Sequence, residues 1–535
     1  MMERPNAVML AGGLAALFIL LAGTSLAPGA LLVGKHEGDT FHIVDVLMRM
    51  ARGEVPHLDF ATPIGVLAFA PIVLFLKAGF GVGMAMIMGQ VLIAALVFPA
   101  LWWVAHSRFS TGWAVGFGAA VLVLLLGLVH GTTEPSLSMS MHYNRWAWAA
   151  TFLVLAAAVL PGRGADRPLA DGLVIGLGLS LMALTKVTFF VAFALPVVVA
   201  LVARGAWRSL AVSVLAGLAV VAVVTGVMSV EFWMAWLGDL RTVSSSLVRP
   251  QPTLNLGQVI GAPSHMAGTL VLIFAVVLLR QADRPAEGLI LLLLAPGFIY
   301  VTWQNAENDP QWLMLLGVML FALVPTRELH NVLGWNVSAG IGYLGIAAIT
   351  LSVPSFINMA WSPFRHLNTD RAAYMPLLPG QGIHEDLQVA RIRNLDVGGA
   401  VPLGLPTGDR DASGQEEVAR VNGEALPQCN LGLGMSHWMA TIATRLNESG
   451  LARDQQVFVT DVLNVTWLYG AGEPLQGGAP WYYGGLSGFA NADLVLVPLC
   501  PISAPLRKLM LTEIEADGAQ LTEIDRTDLY ILYRK

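Results

Sequence analysis

The chain has 535 residues, 56% of them apolar and only 12% charged, with a mean hydropathy of +0.66. A soluble domain carries about twice that share of charge, and a net charge of −6 excludes a basic nucleic-acid-binding face. Runs of about 20 apolar residues recur from Ala7 to Pro354, so the sequence reads as a polytopic α-helical membrane protein.

The first run, 7–33, follows a single Arg in MMERP and is longer than the apolar core of a signal peptide, which predicts a retained anchor. Next comes KHEGDTFHIVDVLMRMARGEVPHLDFATPIG, Lys35 to Gly65. From Asp39 its pattern predicts a short amphipathic helix, with Phe41, Val44, Leu47, Met48 and Ala51 on one face and His42, Asp45, Arg49 and Arg52 on the other. Asp39 sits where an N-cap would and Gly53 where a helix stops. Such a helix is expected to lie flat on the membrane surface.

Further spans are expected at 82–105, 112–130, 146–160, 170–185, 187–203, 208–229, 266–281, 286–303, 312–325 and 334–354, eleven in all, with 62–76 ambiguous. Charge decides that case. If 62–76 does not cross and the N-terminus is cytoplasmic, the inner loops carry Arg108, Arg163 with Arg167, Arg204 with Arg208, Arg280 with Arg284, and Arg327. If it crosses, those arginines fall outside. The segment 62–76 is therefore a second interfacial helix within a first outer loop, 34–81. The odd count then places the C-terminal part outside, in a multi-pass protein of the inner (plasma) membrane. Two spans of about 16 residues flank Lys186, short of the about 20 a bilayer needs. A lysine there either faces water and a ligand or snorkels to headgroups.

The order of elements carries a resemblance. A first span is followed by an acidic residue opening an interfacial helix, then GEVPHLDF, then a Pro-led apolar interfacial segment. With many spans and a C-terminal extracytoplasmic domain, this resembles the GT-C membrane glycosyltransferases of the protein O-mannosyltransferase and lipid A aminoarabinose transferase type. The layout covers 1–354; the motif covers about 36–65. The resemblance implies sugar transfer from a polyprenyl-phosphate donor to an acceptor glycan, lipid or protein, with inversion. It makes Asp39 the catalytic base. Many members have Asp followed by Glu, whereas here Thr40 follows and Glu37 lies two residues before, which leaves open which carboxylate acts.

Each candidate also has a plain structural role. Asp39 can serve as a helix cap, and Asp59 can simply start the next segment. Glu134, in GTTEPSLSMSMHYNRW, can be an exposed turn acid, and Arg145 can snorkel at the start of a span. Lys186 is the candidate contact to the donor phosphate. WQNAENDPQW gathers Gln304, Asn305, Glu307 and Asp309 between two tryptophans, suited to sugar hydroxyls or to an aromatic-belt turn. No HExxH or helical HxxxH pair points to zinc, and no metal ligand set is assigned. The acids near Asp39 leave room for a weakly held divalent cation as the one cofactor considered.

Residues 355–535 hold 13 Lys+Arg against 20 Asp+Glu and no spanning run. Residues 355–428 read as linker-like, and 429–535 as a small α/β domain, with helices at SHWMATIATRLNESG and 505–517 and strands at QQVFVTDV, ADLVLVPLC and LYILYRK. Cys429 and Cys500, the only cysteines, pair if this domain is outside and are two separate buried thiols if not. The runner-up reading is a transporter or flippase for a lipid-linked or amphiphilic substrate. It expects internal repeats and broken helices in matching halves, which the sequence lacks. A polysaccharide polymerase or ligase shares the donor but not the first-loop pattern.

Overall fold

In the computed structural model, which describes residues 5–246, 255–304, 309–400 and 418–535, each of the eleven apolar runs folds as a helix. In chain order, α1 (Ala7–Leu26) leads through β1 (Leu31–Val33) to α2 (Glu37–Arg52) and α3 (Ala70–Lys77). The bundle continues with α4 (Val82–Arg108), α5 (Thr111–Leu126), α6 (His142–Val159), α7 (Pro168–Thr185), α8 (Val187–Ala203) and α9 (Trp207–Met228). Then come α10 (Glu231–Ser244), α11 (Leu256–Gly261), α12 (Pro263–Gln281), α13 (Pro285–Gln304), α14 (Trp312–Leu323) and α15 (Val337–Leu367). Seven helices, α1, α4, α7, α9, α12, α13 and α15, are long and apolar enough to cross a bilayer; α5, α8 and α14 are apolar but shorter. In α6 every residue except Tyr143 is buried. It is the centre of the bundle, which is why its sequence is apolar all round.

Small residues bring α7 and α9 together. A methyl added at Gly172 would lie 2.5 Å from the Val212 Cβ, and one at Gly176 would lie 2.4 Å from the Ser213 carbonyl oxygen. Without an attraction of apolar groups for each other in lipid, such close backbone contact is what holds helices.

The segment 62–76 is not one continuous helix. It forms a single 3-10 turn, Val66–Ala68, and then α3, whose eight residues reach about 12 Å. The first run also ends sooner than expected, since Pro28 and Gly29 (φ 67) stop α1 at Leu26. Residues 31–33 instead pair in parallel with β3 (Leu387–Ala390), which pairs in turn with β2 (Tyr374–Pro376). The stretch 355–428 is thus more than a tether. Pro354 and Pro363 remove hydrogen bonds without ending α15, and β3 and α16 (Arg391–Leu395) lie against the start of the chain.

Two further expectations fail. Asp39 is not an N-cap: α2 begins at Glu37 behind His36, whose left-handed backbone (φ 67) turns the chain, and Asp39 lies in the first helical turn. Nor does the polar face of α2 meet water, except at Arg52 near its end. Asp45 and Arg49 are 0% and 1% exposed, because the C-terminal domain covers them. An unexpected helix, α10, lies between the expected spans 208–229 and 266–281. Its Phe232 and Trp236 pack on His57.

The C-terminal part adds β4 (Gly398–Ala400), β5 (Arg420–Val421), β6 (Glu424–Ala425), β7 (Asn430–Leu433), α17 (Met435–Ser449), β8 (Val457–Val459), β9 (Leu494–Pro498), α18 (Ala504–Asp517), β10 (Thr522–Arg526) and β11 (Tyr530–Arg534). Its main sheet has the order β10-β11-β9-β8, with β8 and β9 parallel and the rest antiparallel. Cys429 and Cys500, 71 residues apart, form a disulfide. A loop of that length restricts the unfolded chain by roughly 4 kcal/mol. Cys429→Ser with Cys500→Ser is therefore expected to lower the thermal unfolding midpoint of the C-terminal domain, read by differential scanning calorimetry; an unchanged midpoint contradicts this.

Candidate active site

The sequence GTTEPSLSMS between α5 and α6 alternates hydroxyl and apolar side chains at 136–140. An extended backbone puts such residues on opposite sides, and here the chain is extended. Val129 bridges to Leu137, the Ser138 N–H donates to the Leu128 carbonyl at 2.9 Å, and the Gly34 N–H donates to that of Leu137 at 2.9 Å. Leu137 and Met139 are buried in the core. Two of the three hydroxyls, those of Ser138 and Ser140, point at the head of α2. Ser136 donates to Glu134 at 2.8 Å, Ser138 shares a hydrogen bond with His36 Nδ1 at 3.0 Å, and Ser140 donates to Asp39 Oδ2. His130 Nδ1 lies 3.1 Å from the Ser140 oxygen, and its ring sits 4.8 Å from that of His36. Burial, with His36, Arg145, Lys186 and Lys35 around it, lowers His130 to about 3. The ring is neutral at any working pH, and Asp39 faces a neighbourhood rich in positive charge.

Beside this cluster is a cavity of about 540 Å³. Met141 and Tyr143 wall it from the start of α6, Lys186 and Val191 from the α7–α8 junction, Leu237 and Leu240 from α10, Trp303 and Gln304 from the end of α13, and Tyr483 from the C-terminal domain. The Lys186 ammonium lies 5.4 Å from the centre of the Tyr143 ring. Asp39 is not in the wall itself; Met141, next to its partner Ser140, is. A smaller neighbouring cavity shares Pro63, Val243 and Tyr483 and adds Trp481, which lies 5.7 Å from His42 and against Gly38. The two cavities therefore reach from Lys186 to the helix that carries Asp39. Asp239 fastens α10 over them, accepting from His57 Nδ1 at 2.8 Å and from the Thr62 N–H at 3.0 Å.

Lys186 is placed by Gly65. The Gly65 N–H donates to the Thr185 carbonyl at 3.1 Å, and a methyl on Gly65 would sit 2.2 Å from the Leu184 oxygen. Both sides of that contact are backbone and cannot yield by changing a rotamer. Gly65→Ala should cost roughly 1–3 kcal/mol, read as a lower thermal midpoint, and should displace the Lys186 junction; a variant as stable as wild type would show the contact to be looser.

The other sequence candidates are scattered. Glu37 is 6% exposed and bound bidentately by Arg393. The Asp59 carboxylate accepts from the Val55 N–H at 2.7 Å and its carbonyl from the Gly477 N–H at 2.9 Å, which is a turn and a docking contact. Glu134 pairs with Lys35 at 3.3 Å and is held below the usual carboxylate range chiefly by Ser136. Arg145, fully buried, donates to the carbonyls of Val129 (2.5 Å) and Gly127 (2.6 Å) and to Gln90 (3.0 Å), so it pins the serine loop from beneath. Asp309 turns to Ser355 on α15. Asn305 and Glu307 lie outside the described residues. Among the described residues no three His, Cys, Asp or Glu side chains are placed to hold a metal ion. Ser140 and His130 were not singled out in the sequence, although the SxSxS alternation was there to be read.

At the far end of the bundle, Arg108 pairs with Asp171 at 2.6 Å and Arg204 donates to the Ala157 and Ala158 carbonyls at the end of α6. His142 and Arg145 start that helix, about 27 Å away along its 18 residues. Asp39 and the arginine cluster thus lie at opposite ends.

No protein-family model matches the chain, and no curated protein matches it. A solved structure, described as the crystal structure of ArnT from Cupriavidus metallidurans in the apo state, is similar over 98% of this chain and 97% of that one. The identity is 11% and the TM-score 0.39. The likeness runs the length of both chains but is loose.

Proposed function

We propose that the chain is a membrane glycosyltransferase of the GT-C kind, moving a sugar from a polyprenyl-phosphate donor to an acceptor hydroxyl or amine at the extracytoplasmic face. The observation that carries this is the cavity. Among the described residues Lys186 is the one cation in a largely apolar and aromatic wall, beside the serine loop that holds Asp39. An apolar chain fits among Val191, Leu237 and Leu240, and a phosphate fits at Lys186. The acceptor oxygen or nitrogen bonds to the anomeric carbon as the bond from that carbon to the phosphate oxygen breaks. Asp39 takes the acceptor proton. The polyprenyl phosphate leaves with the electron pair, and Lys186 meets its growing charge. Attack from the face opposite the phosphate inverts the anomeric centre. The arginine-rich far end fits the cytoplasmic side by the positive-inside rule.

The test is turnover of purified protein in nanodiscs with a panel of polyprenyl-phosphate sugars. Lys186→Met is expected to weaken donor binding by about ten- to a hundredfold, the range of a hydrogen bond to a charged group. Unchanged donor affinity in this variant, or no transfer by wild type with any member of the panel, would overturn the reading.

A further inference from the structure

We infer that Ser140 and His130 are positioning residues that fix the orientation of Asp39, an inference that rests on Asp39 being the base.

The hydrogen bonds leave one assignment. Ser140 is fully buried and has a single hydroxyl proton. The Asp39 carboxylate can only accept, so that proton points to Oδ2. The contact between Ser140 and His130 must then run the other way, with His130 Nδ1 carrying the proton and donating to the serine oxygen. The Ser140 N–H is held at 3.1 Å by the Ser138 hydroxyl, which is tied in turn to His36. The two rings lie against each other. The serine is therefore fixed through both its backbone and its side chain.

This geometry selects orientation over proton relay. A relay would pass the acceptor proton from Asp39 through Ser140 to His130. That ring already donates at Nδ1, and its neighbours Lys35, Arg145 and Lys186 all disfavour a second proton. What remains is a clamp on one carboxylate oxygen. Oδ1 accepts from no side chain among the described residues and is left for the acceptor.

The test measures kcat and donor KM. Ser140→Ala should lower kcat by about ten- to a hundredfold and leave donor KM within about twofold. His130→Leu should lower kcat in the same way, with donor KM again within about twofold. His130→Asn, which keeps a donor near the Nδ1 position, should restore most of the rate, as should Ser140→Thr. These two conservative variants decide the matter if the others unfold. Asp39→Asn is run beside them. If it retains turnover, the reading of Asp39 fails and this inference falls with it. If it abolishes turnover while Ser140→Ala and His130→Leu leave kcat unchanged, or if loss of rate merely tracks loss of thermal stability, the inference alone is wrong.

Discussion

Asp39→Asn is expected to lower kcat by about 10²- to 10⁴-fold, the usual contribution of a general base, with donor binding retained. The substitution is nearly isosteric. The amide oxygen can still accept from Ser140, so the head of α2 should stay in place, and what is lost is the ability to take a proton. The same change at other acids of the segment has different consequences. Glu37→Gln would loosen the Arg393 pair that joins α2 to the C-terminal part, and Asp59→Asn would weaken a turn. These should appear first in stability. Unchanged turnover in Asp39→Asn with reduced turnover in Glu37→Gln would transfer the base role to Glu37, the alternative that the sequence left open. Single-turnover measurement with a labelled donor separates the chemical step from binding.

How much of this is legible in the sequence depends on the range of the interaction. Hydropathy is a local property, so α4 to α9 and α12 to α15 fall where apolar runs fall. The count of arginines demotes 62–76 from a span, and α3 has only eight residues. Lys186 stands out because a charge amid LMALTKVTFFVAF is costly, and the cavity wall is where it comes to lie. Four things needed the third dimension. The first turn of α2 depends on a left-handed His36, a conformation with no reliable local signal. The polar face of α2 reads as wet because charge on an amphipathic helix normally is; the domain that covers it lies more than 400 residues on. Pairing of β1 with β3 joins Leu31 to Leu387, also remote in the chain. And α10, with Trp, Asp and Arg among its apolar residues, lacks the hydropathy of a span and was absorbed into a loop.

Arg49→Met should be the most destabilising single change in α2. Arg49 donates to Asp45 at 2.6 Å, to Glu54 at 3.0 Å and to the Leu475 carbonyl at 3.1 Å, and its guanidinium lies 5.5 Å from the Trp467 ring. The pair is almost wholly out of water. Burial pushes the Asp45 carboxyl up, against the charge and hydrogen bond of Arg49, which hold it down. Without Arg49, Asp45 keeps only the Trp467 indole at 3.3 Å, and an unpaired buried charge costs about 3–5 kcal/mol. Two checks separate this from lost packing. Asp45→Leu combined with Arg49→Met should recover most of the loss, because a well-packed apolar pair replaces a buried ion pair at little cost. And the single variant should depend on pH in a defined sense. With Arg49 gone, the folded pKa of Asp45 rises further above its unfolded value, so the stability that its protonation contributes is fully present in acid and is lost as pH rises through the folded pKa. Arg49→Met should therefore unfold more easily at neutral than at mildly acidic pH, relative to wild type. Because Asp45 lies six residues from Asp39, about 9 Å along the helix, loosening this contact should also slow transfer. A variant that loses stability equally at both pH values would mean that the lost contacts to Glu54, Leu475 and Trp467, and not the stranded carboxylate, dominate.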